Sequence, residues 1–173
     1  MTKNLIVLVV VSLGVVTPCF SESTNFSTEK ASPLKLATPR HGRVAHFAGR
    51  VQLSGQFLVG WELINGKRSY LRVIFFPDRD SMTVLPHAVE SGPVKELLFS
   101  KAEQAASILL DREIAQMILT KEVMSARGEA ILTIGNYRTV VECDHRWYIA
   151  DLISASTASR IIANTQENGR FGC

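Results

Sequence analysis

A run of alternating apolar and polar residues is the strongest constraint on how this chain folds. Most of its apolar members stand at odd positions: Val51, Leu53, Phe57, Val59, Trp61 and Leu63. Alternation of this kind over more than about ten residues predicts a β-strand with one buried face. Because Gly55 and Gly60 interrupt the run, we expect β-bulges there, which would bend the strand so that it serves two parts of a sheet.

Further segments complete a β-rich pattern. Asn65-Gly66 is typical of a type I′ hairpin turn, because both residues tolerate positive φ. The strands expected after this turn are Tyr70 to Phe76, Met82 to Leu85, Ala130 to Cys143 with a bend at Gly135-Asn136, and Trp147 to Ser154. The prolines at positions 77 and 86 end the first two of these strands, since proline cannot donate to a β-ladder.

The apolar period becomes helical between the third and fourth of the expected strands. Gly92-Pro93 favours a helix start, and Ser100 to Glu103 has the spacing of a capping box. An apolar stripe continues to about Leu119, as one helix or as two that are broken near Asp111. We expect Gly128 to end this helical region.

The expected order of elements is β-β-β-α-β-β, which predicts a mainly β domain with a helical insert (α+β). This order resembles the OB-fold, a small five-stranded barrel with a helix between its third and fourth strands. The resemblance covers about residues 44–155 and depends on element order. The alternative is a small α+β domain with a different sheet order.

The N-terminus has the features of a secretory signal peptide. Lys3 precedes an uncharged apolar stretch of 12 residues, Leu5 to Val16, and a polar region containing Pro18 follows. The stretch is shorter than the about 20 apolar residues that span a bilayer. We therefore expect cleavage near Ser21 and export to the periplasm or outside the cell, with a bacterial source favoured. The alternative is a lipoprotein anchored at Cys19, which would be the protein's one tie to a membrane.

The remaining chain divides into a leader and one domain. Residues 22–40 are rich in Ser, Thr and Lys, and we expect a flexible leader there. Residues 41–173 form a single globular domain, with a C-terminal extension at 156–173 that is expected to carry a short helix. Cys143 and Cys173 are an even pair, which an oxidising compartment favours as a disulfide.

Charge and motifs exclude several classes of function. Removal of residues 1–21 takes away only Lys3, so that 18 basic side chains face 16 acidic ones. This balance is too even to indicate nucleic acid or an anionic membrane as the partner. The chain has no phosphate loop, dinucleotide fingerprint, nucleophile elbow or zinc spacing, and we expect neither a cofactor nor a metal.

Aromatic residues on the expected strands are the best candidates for ligand contact. Alternation places Trp61 in the core, whereas one member of each adjacent pair, Phe75–Phe76 and Trp147–Tyr148, should face outward. The candidate ligand-contact residues are Tyr70, Arg72, Phe76, Trp147 and Tyr148. Exposed aromatics beside arginines are typical of surfaces that stack on a ligand.

The absence of a convergent catalytic motif favours a non-enzymatic, exported binding module. Its expected partner is a protein, peptide or glycan of the cell envelope, and an envelope inhibitor or immunity protein is a narrower form of this hypothesis. The competing hypothesis is a small secreted hydrolase that uses Asp78, Asp80, His87 or His145.

Overall fold

The computed structural model describes residues 25–37, 43–64, 67–142, 145–157 and 161–165. These residues form a mainly β domain. Its strands are β1 Phe26–Ser27, β2 Lys35–Leu36, β3 Val44–Ile64, β4 Lys67–Pro77, β5 His87–Ala88, β6 Leu97–Phe99, β7 Ser125–Glu142, β8 His145–Thr157 and β9 Ile162–Asn164. The helices are α1 Arg79–Val84, α2 Ala102–Leu109 and α3 Arg112–Leu119, and a short 3-10 turn spans Val89–Ser91.

Five of the strands pair in a closed ring. The antiparallel partners are β3 with β4, β4 with β6, β8 with β7, and β7 with β3, while β6 and β8 pair in parallel. Strand β2 extends the sheet beside β3, strand β9 pairs with β7, and β1 pairs with β5 in a separate two-stranded sheet.

Strand β3 joins two parts of this ring, as the alternating run predicted. It pairs with β7 over residues 44–60 and with β4 over residues 55–64. A Cβ at Gly55 would overlap the carbonyl oxygen of Phe76, so only glycine allows β4 to approach there. The expected bulges at Gly55 and Gly60 are both wrong, because Gly55 pairs regularly with Pro77 and Ala130, and Gly60 with Arg72. The register breaks lie instead between Phe47 and Arg50 and between Glu62 and Leu63.

The core fills the inside of the ring. The predicted odd positions Val51, Leu53, Phe57 and Val59 are buried, whereas Trp61 is half-buried and Leu63 is exposed. Other fully buried side chains include Phe75, Leu97, Leu109, Ile118, Leu132, Ile134 and Tyr137. The Tyr137 hydroxyl donates to the carbonyl oxygen of Pro86 at 2.6 Å, so the large buried ring keeps its polar atom satisfied.

The helical region contains two helices, and they end at Leu119 as predicted. Asp111 separates them, because its carboxylate accepts from the backbone N–H of Ile114 at 2.8 Å and caps α3. The predicted capping box at Ser100 is wrong. Lys101 is the N-cap residue of α2 and makes no side-chain cap, while the Ser100 hydroxyl donates to Asp151.

The third strand of the ring is not the predicted segment. Met82 to Leu85 belongs mostly to α1, which begins where the Asp78 carboxylate accepts from the backbone N–H of Ser81 at 2.8 Å. The third strand is Leu97–Phe99, which was predicted to be helical. Its three residues are too few to show a period, and pairing on both sides, with β4 and β8, fixes its conformation.

Three other expectations differ from the structure. Gly128 lies inside β7, which begins at Ser125, and the expected C-terminal helix is strand β9 in its described part. The described part of the expected leader, residues 25–37, is paired with the domain through β1 and β2. Leu34 in this segment is only 4% exposed, since burial of apolar side chains holds the segment against the core.

Several expectations lie outside the described residues: the signal peptide, the Asn65-Gly66 turn, and both cysteines of the expected disulfide. In the described ranges, no helix has the length and apolar character required to cross a membrane.

Candidate ligand-binding face

A row of apolar side chains crosses the outside of the ring. Leu58 on β3 pairs with Ile74 on β4, Ile74 pairs with Leu98 on β6, and Leu98 pairs with Ile149 on β8. We call these four residues the apolar row. Their chain neighbours, such as Phe57, Phe75 and Leu97, are buried in the core, so alternation directs the row to the outer face. On that face Ile74 is only 8% exposed, and the other three side chains are half-buried.

Strand β7 closes the ring and places an arginine at each end of the apolar row. Arg127 is the β7 partner of Leu58, and Arg138 is the β7 partner of Ile149. Arg127 is exposed and Arg138 is half-buried. The outer face therefore has an apolar centre with a guanidinium on either side.

A cleft of about 380 Å³ borders the apolar row at Leu98. We call it the Trp147 cleft; its lining includes Pro93, Lys95, Glu96, Leu98, His145 and Trp147. The half-buried Trp147 ring contacts the His145 ring, with 4.1 Å between centroids and planes tilted by 57°. The Trp147 ring therefore lies at the wall of the cleft with one side against His145.

Tyr148 lines the same cleft but turns its ring inward. Its ring stacks on that of Tyr137 at 6.4 Å, with an angle of 11° between the planes. Burial raises the pKa of the Tyr148 hydroxyl, and the nearby Ser91 and Arg146 oppose that shift only in part. The hydroxyl is buried and makes no hydrogen bond within the described part of the chain.

Three contacts hold the side chain of Arg146 in place. Its Nη2 lies 2.9 Å from Glu90 Oε1, its Nε donates to Ser91 Oγ at 3.2 Å, and its guanidinium lies over the Phe26 ring at 5.9 Å from the centroid. These contacts tie the 3-10 turn and the N-terminal strand pair to β8. Arg146 therefore positions the wall of the cleft and is not a free ligand contact.

The structure brings only some of the predicted ligand-contact residues together. Phe76 and Trp147 are the outward members of their aromatic pairs and flank the apolar row. Arg72 also faces outward, but its Nε is 2.8 Å from Glu62 Oε2. Tyr70, which is 61% exposed, lines a separate groove beside Trp61. Trp61 is fixed there because its Nε1–H donates to the carbonyl oxygen of Ile118 at 2.8 Å.

The four candidate residues of a hydrolase have separate roles. His87 is buried with Nδ1 at 3.2 Å from the carbonyl oxygen of Leu85, and His145 packs on Trp147. Asp80 forms an ion pair with Lys30 at 2.9 Å, and Asp78 caps α1. Burial raises the pKa of Asp78, but hydrogen bonds from Ser54 and Ser81 outweigh it and leave the pKa below its ordinary value. Across the described ranges, no three His, Cys, Asp or Glu side chains cluster as metal ligands.

The apolar row was not predicted, although the sequence contains a signal for it. Val73-Ile74-Phe75-Phe76 is a continuous apolar stretch rather than an alternating one. Such a stretch indicates a strand with apolar side chains on both faces. Leu97-Leu98-Phe99 and Trp147-Tyr148-Ile149-Ala150 are also continuous apolar stretches. The alignment of Leu98 with Ile149 is not visible in them, because it depends on pairing between strands about 50 residues apart.

The apolar row and the Trp147 cleft share Leu98 and form one continuous surface. What the protein does must follow from the chemistry of this surface. No protein-family model, no characterised protein and no solved structure matches the chain.

Proposed function

We propose that this chain is an exported binding module of the cell envelope, which recognises a protein or peptide partner through the apolar row and the Trp147 cleft. One observation carries the proposal. Four apolar residues stand in register on the outer face of a sheet whose inside is already filled by the core; three of them are half-buried and Ile74 is 8% exposed. An apolar row that the core does not use is favourable to cover, at about 25 cal/mol per Å² of apolar surface removed from water.

The chemistry of the row favours a protein or peptide over a glycan. A glycan site needs planar polar side chains around an open aromatic face, whereas the centre of this surface is aliphatic. One side of the Trp147 ring is also in contact with His145. The arginines at both ends favour a partner segment whose apolar side chains are flanked by acidic ones, because opposite charges across an interface favour correct docking.

We also propose that the ring is an OB-like barrel. The pairing of β3, β4, β6, β8 and β7 in a closed ring, with α2 and α3 between its third and fourth strands in chain order, supports this assignment. In OB-folds, the face of the second and third strands and the loop between the fourth and fifth bind ligands. The corresponding strands here are β4 and β6, which carry the centre of the apolar row.

Export and the disulfide are parts of the same proposal. The Lys3 start, the 12 apolar residues and the polar region at Pro18 support cleavage near Ser21. A disulfide between Cys143 and Cys173 would link the chain end to the connection between β7 and β8, which precedes His145 and the Trp147 cleft. No observation favours the hydrolase hypothesis, since its four candidate side chains serve separate contacts.

The test is capture of a partner from an envelope extract by the purified protein, compared between two single substitutions. Leu98→Glu places a charge in the apolar row, and Ile131→Glu places the same charge on the outside of β7, where Ile131 is 43% exposed. We expect wild type and Ile131→Glu to recover the same protein in stoichiometric amount, and Leu98→Glu to lose at least about 90% of it. A loss of that size corresponds to about 1.4 kcal/mol of binding free energy or more.

A second variant separates loss of binding from loss of folding. Trp147→Ala removes the half-buried ring of the cleft, and circular dichroism melts of each variant report whether the domain remains folded. If folded Leu98→Glu and folded Trp147→Ala both capture the partner as wild type does, this surface is not the binding site. If the recovered partner is an enzyme that the protein inhibits, the narrower inhibitor form of the hypothesis is supported.

A further inference from the structure

A second cavity, of about 370 Å³, lies between the start of α2 and strands β3, β7 and β8. Its polar lining comes from Arg50, Lys101, Gln104, Asn136 and Asp151. We call it the Asp151 pocket. It shares none of the lining residues of the Trp147 cleft, and its volume suits a small molecule rather than a protein surface.

A carboxylate is fixed in the wall of this pocket. Asn136 Nδ2 donates to Asp151 Oδ2 at 2.8 Å, and the Ser100 hydroxyl donates to Asp151 Oδ1. These two hydrogen bonds, reinforced by the charges of Lys101 and Arg138, lower the pKa of Asp151. The group is therefore ionised near neutral pH, and each of its oxygens retains a lone pair for a further donor.

Two cationic side chains line the same pocket. Arg50 lies on β3, Lys101 is the residue that precedes α2, and both side chains are exposed. Neither side chain makes an ion pair or a hydrogen bond with the part of the chain that the structure describes. A guanidinium and an ammonium that converge on one cavity provide several donors for a carboxylate.

Irregular backbone builds the pocket independently of these charges. The pairing of β3 with β7 breaks between Phe47 and Arg50, and the pairing of β7 with β8 breaks between Gly135 and Arg138. Asn136 lies within the second break at a φ of 49°, a left-handed conformation that is uncommon for a residue with a side chain. Breaks of this kind redirect side chains and concentrate beside functional sites. Here they turn the Asn136 amide toward Asp151.

We infer that the Asp151 pocket binds a small zwitterion of the amino acid or short peptide class. The carboxylate of this ligand lies against Arg50 and Lys101, and the ammonium group of the ligand donates to Asp151. A simple anion is attracted by Arg50 and Lys101 but repelled by the carboxylate of Asp151. A simple cation is attracted by Asp151 but repelled by the two cationic side chains. Only a ligand with both charges matches the whole lining.

The test is a titration followed by two-dimensional NMR of backbone amides in the full domain. The probes are L-alanyl-L-alanine, sodium acetate and ethylammonium chloride at constant ionic strength. We expect the dipeptide to give saturable shifts at Gly135, Asn136 and Leu152, with at least about tenfold tighter binding than either single-charge probe. Equal affinity for acetate, or no saturable shift by the dipeptide at millimolar concentration, overturns the inference.

Substitutions assign the two charges of the ligand. Arg50→Gln and Asp151→Asn should each weaken dipeptide binding at least about tenfold, whereas Arg112→Gln, on the exposed side of α3 and outside the pocket, should leave it unchanged. Because Arg50 is exposed, its substitution keeps the test valid even if Asp151→Asn disturbs the fold. Wild-type affinity in folded Arg50→Gln would show that Arg50 does not bind the carboxylate of the ligand, which contradicts the inference. This experiment is independent of partner capture, because the two surfaces share no side chain.

Discussion

Two rows that cross the same sheet differ in what they present to the outside. In the polar row, Gln52 on β3 pairs with Thr133 on β7, and Thr133 pairs with Ser154 on β8. In the apolar row, the corresponding outward positions are Leu58, Ile74, Leu98 and Ile149.

Both rows lie over the same core, because the inward neighbours Leu53, Phe57 and Phe75 are almost fully buried. Folding requires the inward side chains and does not require apolar residues outside. The difference between the rows therefore supports the proposal that the apolar row binds a partner.

The largest expected effect compares the two faces of β4 at adjacent residues. Phe75→Ala empties a site in the core that is 0% exposed, and we expect it to lower the free energy of unfolding by about 3–5 kcal/mol. Phe76→Ala acts on the half-buried outer ring and should cost less than about 2 kcal/mol. Urea unfolding measures both. Equal losses would mean that the outer face is part of the core, and the distinction between the faces would fail.

The next effect concerns the proposed disulfide. Replacing Cys143 and Cys173 by serine should lower the free energy of unfolding by about 3–4 kcal/mol, because the unfolded chain loses a closed loop of about 30 residues. Partner capture should persist, since the apolar row needs only the folded sheet. Unfolding with and without reductant measures the effect. Two thiols that alkylate without reductant in the exported protein would exclude the disulfide.

The smallest expected effect concerns Asp78, which lies after β4 and contacts β3. Asp78 caps α1 after β4, and it accepts a hydrogen bond from the hydroxyl of Ser54 on β3. Asp78→Ala should cost about 0.5–2 kcal/mol at neutral pH through loss of the cap.

The same carboxylate makes this cost depend on pH. Because its pKa is below the ordinary 3.8 in the folded protein, its stabilisation is complete above that value and is lost as the pH falls through the lower, folded value. The difference between wild type and Asp78→Ala should therefore shrink in acid. Urea unfolding at pH 7 and at successively lower pH checks this, and a constant difference would contradict it.

Long periodic segments were predictable from the sequence, and short ones were not. The alternation in β3 and the helix end at Leu119 follow from local patterns, and the structure confirms them. At Gly135-Asn136, where a bend of β7 was predicted, the pairing of β7 with β8 is broken. Two short segments were predicted in the wrong state: Met82 to Leu85 was expected to be a strand and is mostly helical, and Leu97 to Phe99 was expected to be helical and is a strand. Neither conformation follows from a local pattern. A capping carboxylate decides the first segment, and pairing with two distant strands decides the second.

The candidate sites were predictable only in part, for the same reason. Alternation indicates that one of Trp147 and Tyr148 faces outward, but only the register shows that it is Trp147, beside Leu98. The Asp151 pocket gave no sequence signal. Its residues are separated by up to about 100 positions, and they meet because two breaks in strand pairing coincide.

The closed ring also bears on the behaviour of the protein at high concentration. An open sheet ends in strands whose free N–H and C=O groups can recruit another copy of the chain. Here β3 and β7 pair with each other over most of their length, whereas β6 pairs with only Ile74 and Phe75 of β4 and only Ile149 and Ala150 of β8. Protection against pairing with another copy is therefore strongest at β3 and β7 and weakest at the parts of β4 and β8 that β6 does not reach.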